Sequence, residues 1–229
     1  MKGNSLIIIP TYNESENIEL IISKILLLND SNDILIVDDN SPDGTSNIVS
    51  DLKKENIDRI FLIVRDTKLG LGSAYKEGFK WALNKNYSYI FEMDADLSHN
   101  PSEIINLKEL LIKRDFDVAI GSRYLEGVSV VNWPLSRIFL SYFANIYVRI
   151  ITGMPVKDAT SGFIGYTNES LSSLNIDNIK FNGYAFQIEM KFKLWKKNFK
   201  LMEHQIIFVN RKSGKSKMDK NIIFESKLK

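Results

Sequence analysis

Two acidic residues, Asp94 and Asp96, flank Ala95 just after a short apolar run at 89–91. Carboxylates at this spacing at the end of a strand can both bind one hard cation, and that cation can hold a pyrophosphate. An acidic pair in a loop is also typical of a solvated turn. The pair alone therefore leaves a metal site and a turn as alternatives, and the other motifs distinguish them.

Two arginines form a second candidate group. Arg123 precedes Arg137 by 14 residues, and Ser141 follows Arg137 by one helical turn, so Arg137 and Ser141 share a helix face. Two guanidinium groups and a hydroxyl suit a phosphate monoester. Alternatively, Arg123 is an ordinary surface residue and the helix belongs to the core. The aromatic content of 133–147 favours an apolar groove for a lipid tail.

Other polar residues have both functional and structural interpretations. Asp39 follows an apolar strand, where a carboxylate can accept hydrogen bonds from a nucleobase or ribose. Residues 43–45 are equally compatible with a functional role and with a turn followed by a helix N-cap. His99 is compatible with a metal ligand, a contact at a helix N-terminus or no specific role, and the roles other than metal binding are favoured. Glu189 is either a catalytic base or a structural partner for a basic residue, and the structural role is favoured.

A glycine-rich segment at 70–75 superficially matches the dinucleotide-binding pattern. Its sixth position is Tyr75 instead of glycine, and the sequence contains no Gly-Lys-Ser/Thr phosphate loop. Interpretations as an NAD-binding or P-loop protein are therefore rejected. The segment is expected to form a tight turn that opens a helix.

The elements that must position these residues alternate between strands and helices. Residues 6–9 and 34–37 are β-branched apolar runs typical of strands buried on both faces, and 16–28 has one apolar helical face. Further strands are predicted at 60–64, 89–93, 118–120 and 201–209, and further helices at 46–55, 73–84, 101–113, 136–152 and 183–197. The pattern predicts an α/β fold with a central, mostly parallel sheet flanked by helices, and the acidic motifs should share one sheet edge.

The composition is that of one ordinary globular domain, with 229 residues, 44% hydrophobic and 25% charged. The absence of cysteine excludes disulfides and thiolate metal sites, and it fits a reducing compartment. The apolar run at 6–10 is too short for a signal peptide, and no run approaches the ~18 apolar residues that span a bilayer. Seven lysines or arginines in 211–229 can meet phosphates or anionic lipid, or form a solvated segment.

Six motifs occur in order along almost the whole chain. They are PTYNE at 10–14, VDDNSPDGT at 37–45, MDADLSH at 93–99, GSRY at 121–124, DATSGF at 158–163 and RxxGxSKM at 211–218. Together they resemble the family 2 inverting glycosyltransferases. The arginine pair, DATSGF and the final basic motif resemble, more narrowly, the dolichol-phosphate (polyprenol-phosphate) mannose synthases.

The resemblance implies a GT-A type, Rossmann-like glycosyltransferase fold and a set of site residues. The implied catalytic residues are Asp94, Asp96, Arg123 and Arg137. The implied donor-binding residues are Pro10, Tyr12, Glu14, Val37, Asp39, Asp94, Ala95, Asp96, Arg211 and Lys217. The acceptor phosphate would be bound by Arg123, Arg137 and Ser141. Asp94 and Asp96 would hold Mg²⁺ or Mn²⁺, with Ser98, where some relatives have glutamine, as a questionable third ligand.

The resemblance implies transfer of mannose from GDP-mannose to a dolichyl or polyprenyl phosphate with inversion. Alternatives are a glucosyltransferase using UDP-glucose, a transferase to a hydroxyl with Asp94, Asp158 or Glu189 as base, and a non-catalytic nucleotide-sugar-binding subunit. A nucleotidyltransferase is set aside, because such enzymes usually have a glycine-rich basic loop after the first strand. No nucleic-acid partner is expected.

The expected organisation is a single catalytic domain over 1–210 and a basic, mobile segment over 211–229 that orders over the donor. The domain includes an amphipathic helix near 134–152 that faces the acceptor and membrane. Many relatives continue into transmembrane helices, which are not expected here. The expected location is cytoplasmic and peripheral on the cytosolic face of a membrane, the endoplasmic reticulum in a eukaryote, through this helix or a small membrane-anchoring partner subunit.

Overall fold

A mostly parallel sheet forms the centre of the protein in a computed structural model that describes residues 5–28 and 32–210. The strands are β1 (Ser5–Thr11), β2 (Asn32–Asp38), β3 (Ile60–Val64), β4 (Tyr89–Glu92), β5 (Val118–Ser122), β6 (Val130–Val131), β7 (Ile164–Thr167), β8 (Leu201–Gln205) and β9 (Phe208–Val209). The main sheet has the order β3-β2-β1-β4-β7-β5-β8, while β6 and β9 pair separately. The predicted α/β architecture is confirmed.

Helices cover both faces of this sheet. They are α1 (Ile18–Leu26), α2 (Thr45–Glu55), α3 (Leu71–Asn84), α4 (Glu103–Lys113), α5 (Leu135–Thr152), α6 (Asn168–Ser172) and α7 (Tyr184–Lys196), with a short 3₁₀ turn at Ile176–Asn178. The predicted helices begin and end within two residues of these bounds, because their apolar positions recur at helical spacing.

Strand β7 was not predicted, and it runs antiparallel to both of its neighbours, β4 and β5. Gly165 pairs with Phe91 of β4, and a Cβ atom on Gly165 would lie 2.6 Å from the Phe91 ring. This position of β7 therefore needs glycine. Glycine weakens the sequence pattern of a strand. The absence of a clear β-branched run explains why the prediction missed β7.

The predicted strand at 201–209 is two strands. Ile206 is 2% exposed and its N–H donates to the carbonyl oxygen of Ser122, after which the exposed Ile207 carries the chain out of the main sheet. Residues 208–209 then pair with β6. This exit places β9 beside the candidate site.

Two apolar clusters bury the two faces of the sheet. Ile8 and Val37 pack on one face with Phe79 of α3 and Phe186 of α7. On the other face, Ile7 packs against the apolar sides of α1 and α4. Each alternating set of strand residues is thus removed from water, which is the main favourable contribution to folding. The prediction that the first two strands are buried on both faces is confirmed.

Candidate functional site

Loops that follow adjacent strands form one edge of the candidate site. Because β1 lies between β2 and β4 and all three are parallel, the loops after Thr11, Asp38 and Glu92 meet at the same edge. Strand β5 runs in the same direction and is followed by Arg123. The loop before β7 reaches this edge because β7 runs the opposite way. The fold therefore brings together motifs that are distant in sequence.

Asp38 fixes the first two loops to each other. Its carboxylate is fully buried and accepts hydrogen bonds from the hydroxyl groups of Thr11 and Ser41, both at 2.6 Å. The Ser41 hydroxyl oxygen accepts the N–H of Asn13 at 2.9 Å. A buried carboxylate saturated in this way has a structural role.

Residues 43–45 form the turn that opens α2. Burial would raise the pKa of Asp43, but hydrogen bonds from Thr45 and Ser15 lower it to about 2. Gly44 has φ 85°, in the left-handed region that favours glycine. The turn interpretation of this motif is confirmed.

The carboxylate of Asp39 accepts hydrogen bonds from other groups of the protein. It accepts bonds from the guanidinium of Arg65 and from the N–H groups of Leu69 and Gly70 at 3.2 and 3.1 Å. Nη1 of Arg65 also donates to the hydroxyl of Ser73 at 2.7 Å. Asp39 therefore orders the segment before α3, and its predicted nucleoside contact stays a prediction. Sequence reasoning missed Arg65, although an arginine directly after a strand at this edge was a usable signal.

Tyr12 and Pro10 lie half-buried at this edge. Nζ of Lys68 is 4.1 Å from the centroid of the Tyr12 ring, a distance at which a cation is attracted to an aromatic face. The segment ordered by Asp39 thus approaches Tyr12. A nucleoside contact from Tyr12 or Pro10 stays a prediction.

Two other residues predicted to line the nucleoside pocket have side chains that are largely buried in the protein. Glu14 is 9% exposed and accepts the side-chain amide of Asn17 at 3.0 Å. Val37 is 0% exposed and packs in the core. Since both faces of β2 are covered, the side chain of Val37 belongs to the core, and a contact between this residue and the nucleoside stays a prediction.

Asp94 and Asp96 lie on the loop after β4 with different exposure. The side chain of Asp94 is 37% exposed, whereas Asp96 is 7% exposed and its Oδ1 accepts the N–H of Ser98 at 3.0 Å. Ala95, between them, is buried. Leu97 has φ 61°, a left-handed conformation that costs a non-glycine residue about 1–3 kcal/mol. The loop therefore carries backbone strain next to the acidic pair.

His99 supports this loop as a neutral side chain. Its ring stacks on Phe163 at 4.8 Å and meets the edge of Phe208 at 5.3 Å. Its Nδ1 accepts the N–H of Asp94 at 3.3 Å. Burial lowers the pKa of His99 to about 4, although the charge of Asp96 opposes this shift. Packing and support of the main chain account for His99.

The acidic pair suits a hard divalent cation. Within residues 5–28 and 32–210, no group of three or more His, Cys, Asp or Glu could hold a metal ion. Mg²⁺ is commonly bound by one or two carboxylates together with phosphate oxygens and water. Ser98 is 2% exposed and its carbonyl oxygen accepts the N–H of Val209 at 3.3 Å. Its role as third ligand stays a prediction.

Arg123 is held in one orientation by Asp158. Its Nε and Nη2 donate to the two carboxylate oxygens at 2.7 Å each, and its main-chain N–H donates at 2.9 Å. Nη2 also donates to the hydroxyl of Thr160 at 2.8 Å. Burial alone would raise the pKa of Asp158, but the charge of Arg123 brings it below its ordinary value. Arg123 is 8% exposed and is not an ordinary surface residue.

The indole of Trp133 brings the two arginines together. Cζ of Arg123 is 5.5 Å and Cζ of Arg137 is 3.9 Å from the Trp133 ring. Nη1 of Arg137 also donates to the side chain of Asn210 at 3.3 Å. Two guanidinium groups separated in sequence thus lie beside one aromatic ring, while their contact with a phosphate stays a prediction.

Asn145 connects α5 to the loop that holds Arg123. Its side-chain amide donates to the carbonyl oxygen of Ser141 at 2.9 Å, and its Oδ1 accepts the N–H of Thr160 at 3.2 Å. Ser141 itself is half-buried on α5, one turn after Arg137. Nothing in the sequence singled out Asn145, and the DATSGF motif contains Thr160 without indicating its role, because both roles depend on a contact between distant segments.

Two of the carboxylates considered as catalytic bases have structural partners. Asp158 is paired with Arg123 as described. Glu189 accepts the N–H groups of Lys180 and Phe181 at 2.8 and 3.1 Å and forms an ion pair with Lys193 at 2.8 Å. The favoured structural interpretation of Glu189 is confirmed.

Helix α5 presents an apolar face outward. Its large hydrophobic residues that are more than half exposed are Leu135, Phe139, Leu140, Phe143, Tyr147, Ile150 and Ile151. A contiguous exposed apolar surface of this kind is typical of a membrane or ligand contact. In the part of the chain that the structure describes, no helix is long and apolar enough to span a bilayer.

Arg211 and Lys217, predicted to close over the donor, lie outside the described residues.

Comparison with known sequences gives one family and two similar proteins. Residues 6–174 match the model of glycosyl transferase family 2. A polyprenol monophosphomannose synthase of Mycolicibacterium smegmatis is 40% identical over 98% of this chain and 84% of its own length. An undecaprenyl-phosphate mannosyltransferase of Micrococcus luteus is 39% identical over 96% of this chain and 90% of its own length.

Comparison with solved structures confirms the GT-A fold. A mannosyltransferase from Pyrobaculum calidifontis, in complex with GDP-Man and Mn²⁺, has a TM-score of 0.65 at 18% identity over 94% of this chain and 59% of that chain. Glucosyl-3-phosphoglycerate synthase from Mycobacterium tuberculosis, in complex with Mn²⁺ and UDP, has a TM-score of 0.67 at 16% identity over 93% of this chain and 73% of that chain. At these identities the similarity concerns the fold.

Proposed function

This chain belongs to glycosyl transferase family 2, and we propose that it transfers mannose from GDP-mannose to a polyprenyl phosphate. The two relatives near 40% identity, both named for mannosyl transfer to polyprenyl phosphates or for its product, support this assignment. The product is a polyprenyl-phosphate-mannose with an inverted anomeric centre, and a dolichyl phosphate is the corresponding acceptor in a eukaryote.

The convergence of Arg123 and Arg137 on Trp133 is the observation that carries the proposal. Both guanidinium groups lie at the sheet edge that also holds the acidic pair, and Arg137 projects from the helix with the exposed apolar face. Paired guanidinium groups suit a phosphate monoester, and the apolar face suits the attached hydrocarbon chain. A hydroxyl acceptor such as a sugar would use neither feature.

The acceptor phosphate needs no general base. A phosphate monoester has a second pKa of about 6, so the polyprenyl phosphate is largely dianionic at pH 7. Asp158 orients the Arg123 guanidinium, and Arg137 supplies the second positive charge that aims the phosphate oxygen at the anomeric carbon. Attack opposite the leaving diphosphate inverts that carbon. The engagement of Asp158 and Glu189 in structural bonds agrees with a mechanism without a carboxylate base.

Asp94 and Asp96 would hold Mg²⁺ or Mn²⁺ beside the donor pyrophosphate. Such a cation supplies positive charge to the departing nucleoside diphosphate. The N–H of Ser98 keeps Asp96 in one orientation, and His99 supports the main chain at Asp94. Arg211 and Lys217 would add positive charge to the same diphosphate.

We assign the apolar face of α5 to the membrane that contains the polyprenyl phosphate. Several apolar side chains on one helix can insert into the boundary between head groups and acyl chains without crossing the bilayer. The enzyme would then act peripherally on the membrane surface, on its cytosolic face as the family resemblance implies. A small anchoring subunit is the alternative occupant of this face, and vesicle binding by the purified chain distinguishes the two.

The decisive experiment incubates the purified protein with a short polyprenyl phosphate and GDP-mannose, UDP-glucose or UDP-N-acetylglucosamine, in Mg²⁺ or Mn²⁺. Transfer from GDP-mannose, with none to the unphosphorylated polyprenol, is the expected result. Faster transfer from UDP-glucose would make the protein a glucosyltransferase. Donor binding without turnover would indicate a non-catalytic subunit.

A further inference from the structure

Lys191 of α7 is a buried cation that the proposed mechanism does not use. It is 0% exposed, and its Nζ donates to the carbonyl oxygens of Ser161 at 2.7 Å, Ala159 at 3.0 Å and Gln187 at 3.4 Å. An ammonium group has three N–H donors, and all three are used here. Two of the acceptors belong to the loop that holds Arg123.

This loop contacts Lys191 and Arg123 through alternate residues. The carbonyl oxygens of Ala159 and Ser161 bind the ammonium, while the side chains of Asp158 and Thr160 bind the guanidinium. A displacement of the two carbonyl groups therefore moves both partners of Arg123. Because Thr160 is also bonded to Asn145, the same displacement reaches α5.

A packing role alone does not account for a buried ammonium at this position. Burial of a charge is costly unless its donors are all satisfied, and an apolar side chain of similar length avoids that cost. Burial lowers the pKa of Lys191 to about 8, although the negative charges of Asp158 and Glu92 oppose this shift. Glu92 is itself buried and accepts bonds from Tyr166 and Gln187. Lys191 thus lies between an acidic network in the sheet and the loop beside the site.

We propose that Lys191 is a positioning residue for the acceptor-phosphate site. It fixes the loop at 158–161 so that Asp158 and Thr160 hold the guanidinium of Arg123 beside Trp133. This inference rests on the proposed function for the identity of the substrate. Lys191 does not touch either substrate in this scheme and acts only through the loop.

The test compares Lys191→Met with Lys108→Met. Lys108 is also a buried lysine, 5% exposed, but it bonds to Ser5 and Asn32 at the opposite edge of the sheet. In Lys191→Met, kcat/KM for the polyprenyl phosphate should fall about 10-fold to 100-fold, the usual effect of misplacing a substrate-binding group. GDP-mannose affinity, measured by calorimetry with Mn²⁺, should change less than about twofold. Lys108→Met should leave both quantities near the wild-type values.

Hydrogen exchange gives a readout that does not depend on turnover. The amides of 158–163 should exchange faster in Lys191→Met than in the wild type, with no change in Lys108→Met. Equal exchange in both variants, or an equal loss of donor and acceptor binding, overturns the inference. If Lys191→Met does not melt cooperatively, Lys191→Gln, which keeps two N–H donors, replaces it. Failure of both to fold while Lys108→Met folds would assign Lys191 to overall stability and overturn the positioning role.

The wild-type enzyme separates failure of this inference from failure of the proposed function. If the wild-type protein does not transfer the sugar to polyprenyl phosphate, the proposed function is overturned. The positioning role then has no acceptor substrate to which it could apply. Normal wild-type transfer with unchanged acceptor kinetics in Lys191→Met overturns the inference alone.

Discussion

Replacement of Asp158 by asparagine keeps the size of the side chain and removes the counter-charge of Arg123. Asp158 is 0% exposed and Arg123 is 8% exposed, so the guanidinium would stay buried without this carboxylate. Removal of one partner from a buried ion pair costs about 3–5 kcal/mol. We expect about 3 kcal/mol, at the lower end of that range, because asparagine retains one oxygen that accepts a hydrogen bond. For a domain of this size, this corresponds to a decrease of about 6–12 °C in Tm.

The pH dependence of this difference has a definite sign. Burial would raise the pKa of Asp158, but the charge and the hydrogen bonds of Arg123 together hold it below its ordinary value in the folded state. Its contribution to stability is therefore complete above the pKa of an unfolded aspartate, about 3.9, and is lost as pH falls through the lower folded value. The difference in unfolding free energy between wild type and Asp158→Asn should be constant from about pH 5 to 8 and should shrink below about pH 4.

Thermal and urea unfolding followed by circular dichroism measures this difference, with Asp115→Asn as the matched control. Asp115 pairs with Lys200 at 2.8 Å, but its side chain is 93% exposed, and its left-handed φ of 55° is tolerated by asparagine. The control should leave Tm unchanged. A Tm of Asp158→Asn equal to that of the wild type at pH 7, or an equal decrease in both variants, would refute the view that this buried pair fixes the acceptor half of the site.

Three further outcomes are expected. EDTA and Asp96→Asn should each abolish transfer, because loss of a carboxylate weakens oxygen coordination of a hard cation; activity of Asp96→Asn without metal would contradict the metal site. Arg137→Lys should raise the KM for polyprenyl phosphate about tenfold, since an ammonium cannot reproduce the planar fork, and an equal loss of GDP-mannose affinity would move Arg137 to the donor side. Phe139→Ser with Phe143→Ser should weaken binding to anionic vesicles, unlike Leu27→Ser, a change at an exposed residue directly after α1. Equal binding by the wild type and both variants would exclude α5 as the membrane contact.

The local hydrophobic pattern and the order of the elements along the chain were enough to predict which residues meet at one edge of the sheet. Apolar runs predicted β1 and β2, and the acids that follow these strands could be placed at one edge because parallel strands share their carboxyl ends. Spacing also predicted that Arg137 and Ser141 share a helix face. These features depend on residues close in sequence or on the direction of a strand.

The partners of the charged side chains could not be predicted in the same way. The sequence predicts a ligand contact for Asp39, and it gives no indication that the carboxylate binds Arg65, which is 26 residues away. Lys191 lies in the helix predicted at 183–197, but no pattern in the sequence marks it, because its acceptors lie about 30 residues earlier in the chain. Such pairs require knowledge of which segments meet in the fold. The basic segment at 211–229 lies outside the described residues, so its predicted closure over the donor remains a prediction.

The reversed direction of β7 separates the strands that carry the proposed donor loops from the strand that precedes the proposed acceptor residues. On one side, β4, β1 and β2 carry the loops assigned to the nucleotide sugar, and Asp38 and Asp39 brace these loops with bonds of their own. On the other side, β5 and the loop that enters β7 carry Arg123 and Asp158. Substitutions that adapt the enzyme to a shorter lipid or another anionic acceptor can accumulate beyond β7 as long as they retain Phe163, whose ring stacks on His99 and so supports the loop of Asp94. Exchange of residues 118–163 between relatives is therefore a rational route to enzymes that keep one sugar donor and change the molecule that receives the sugar.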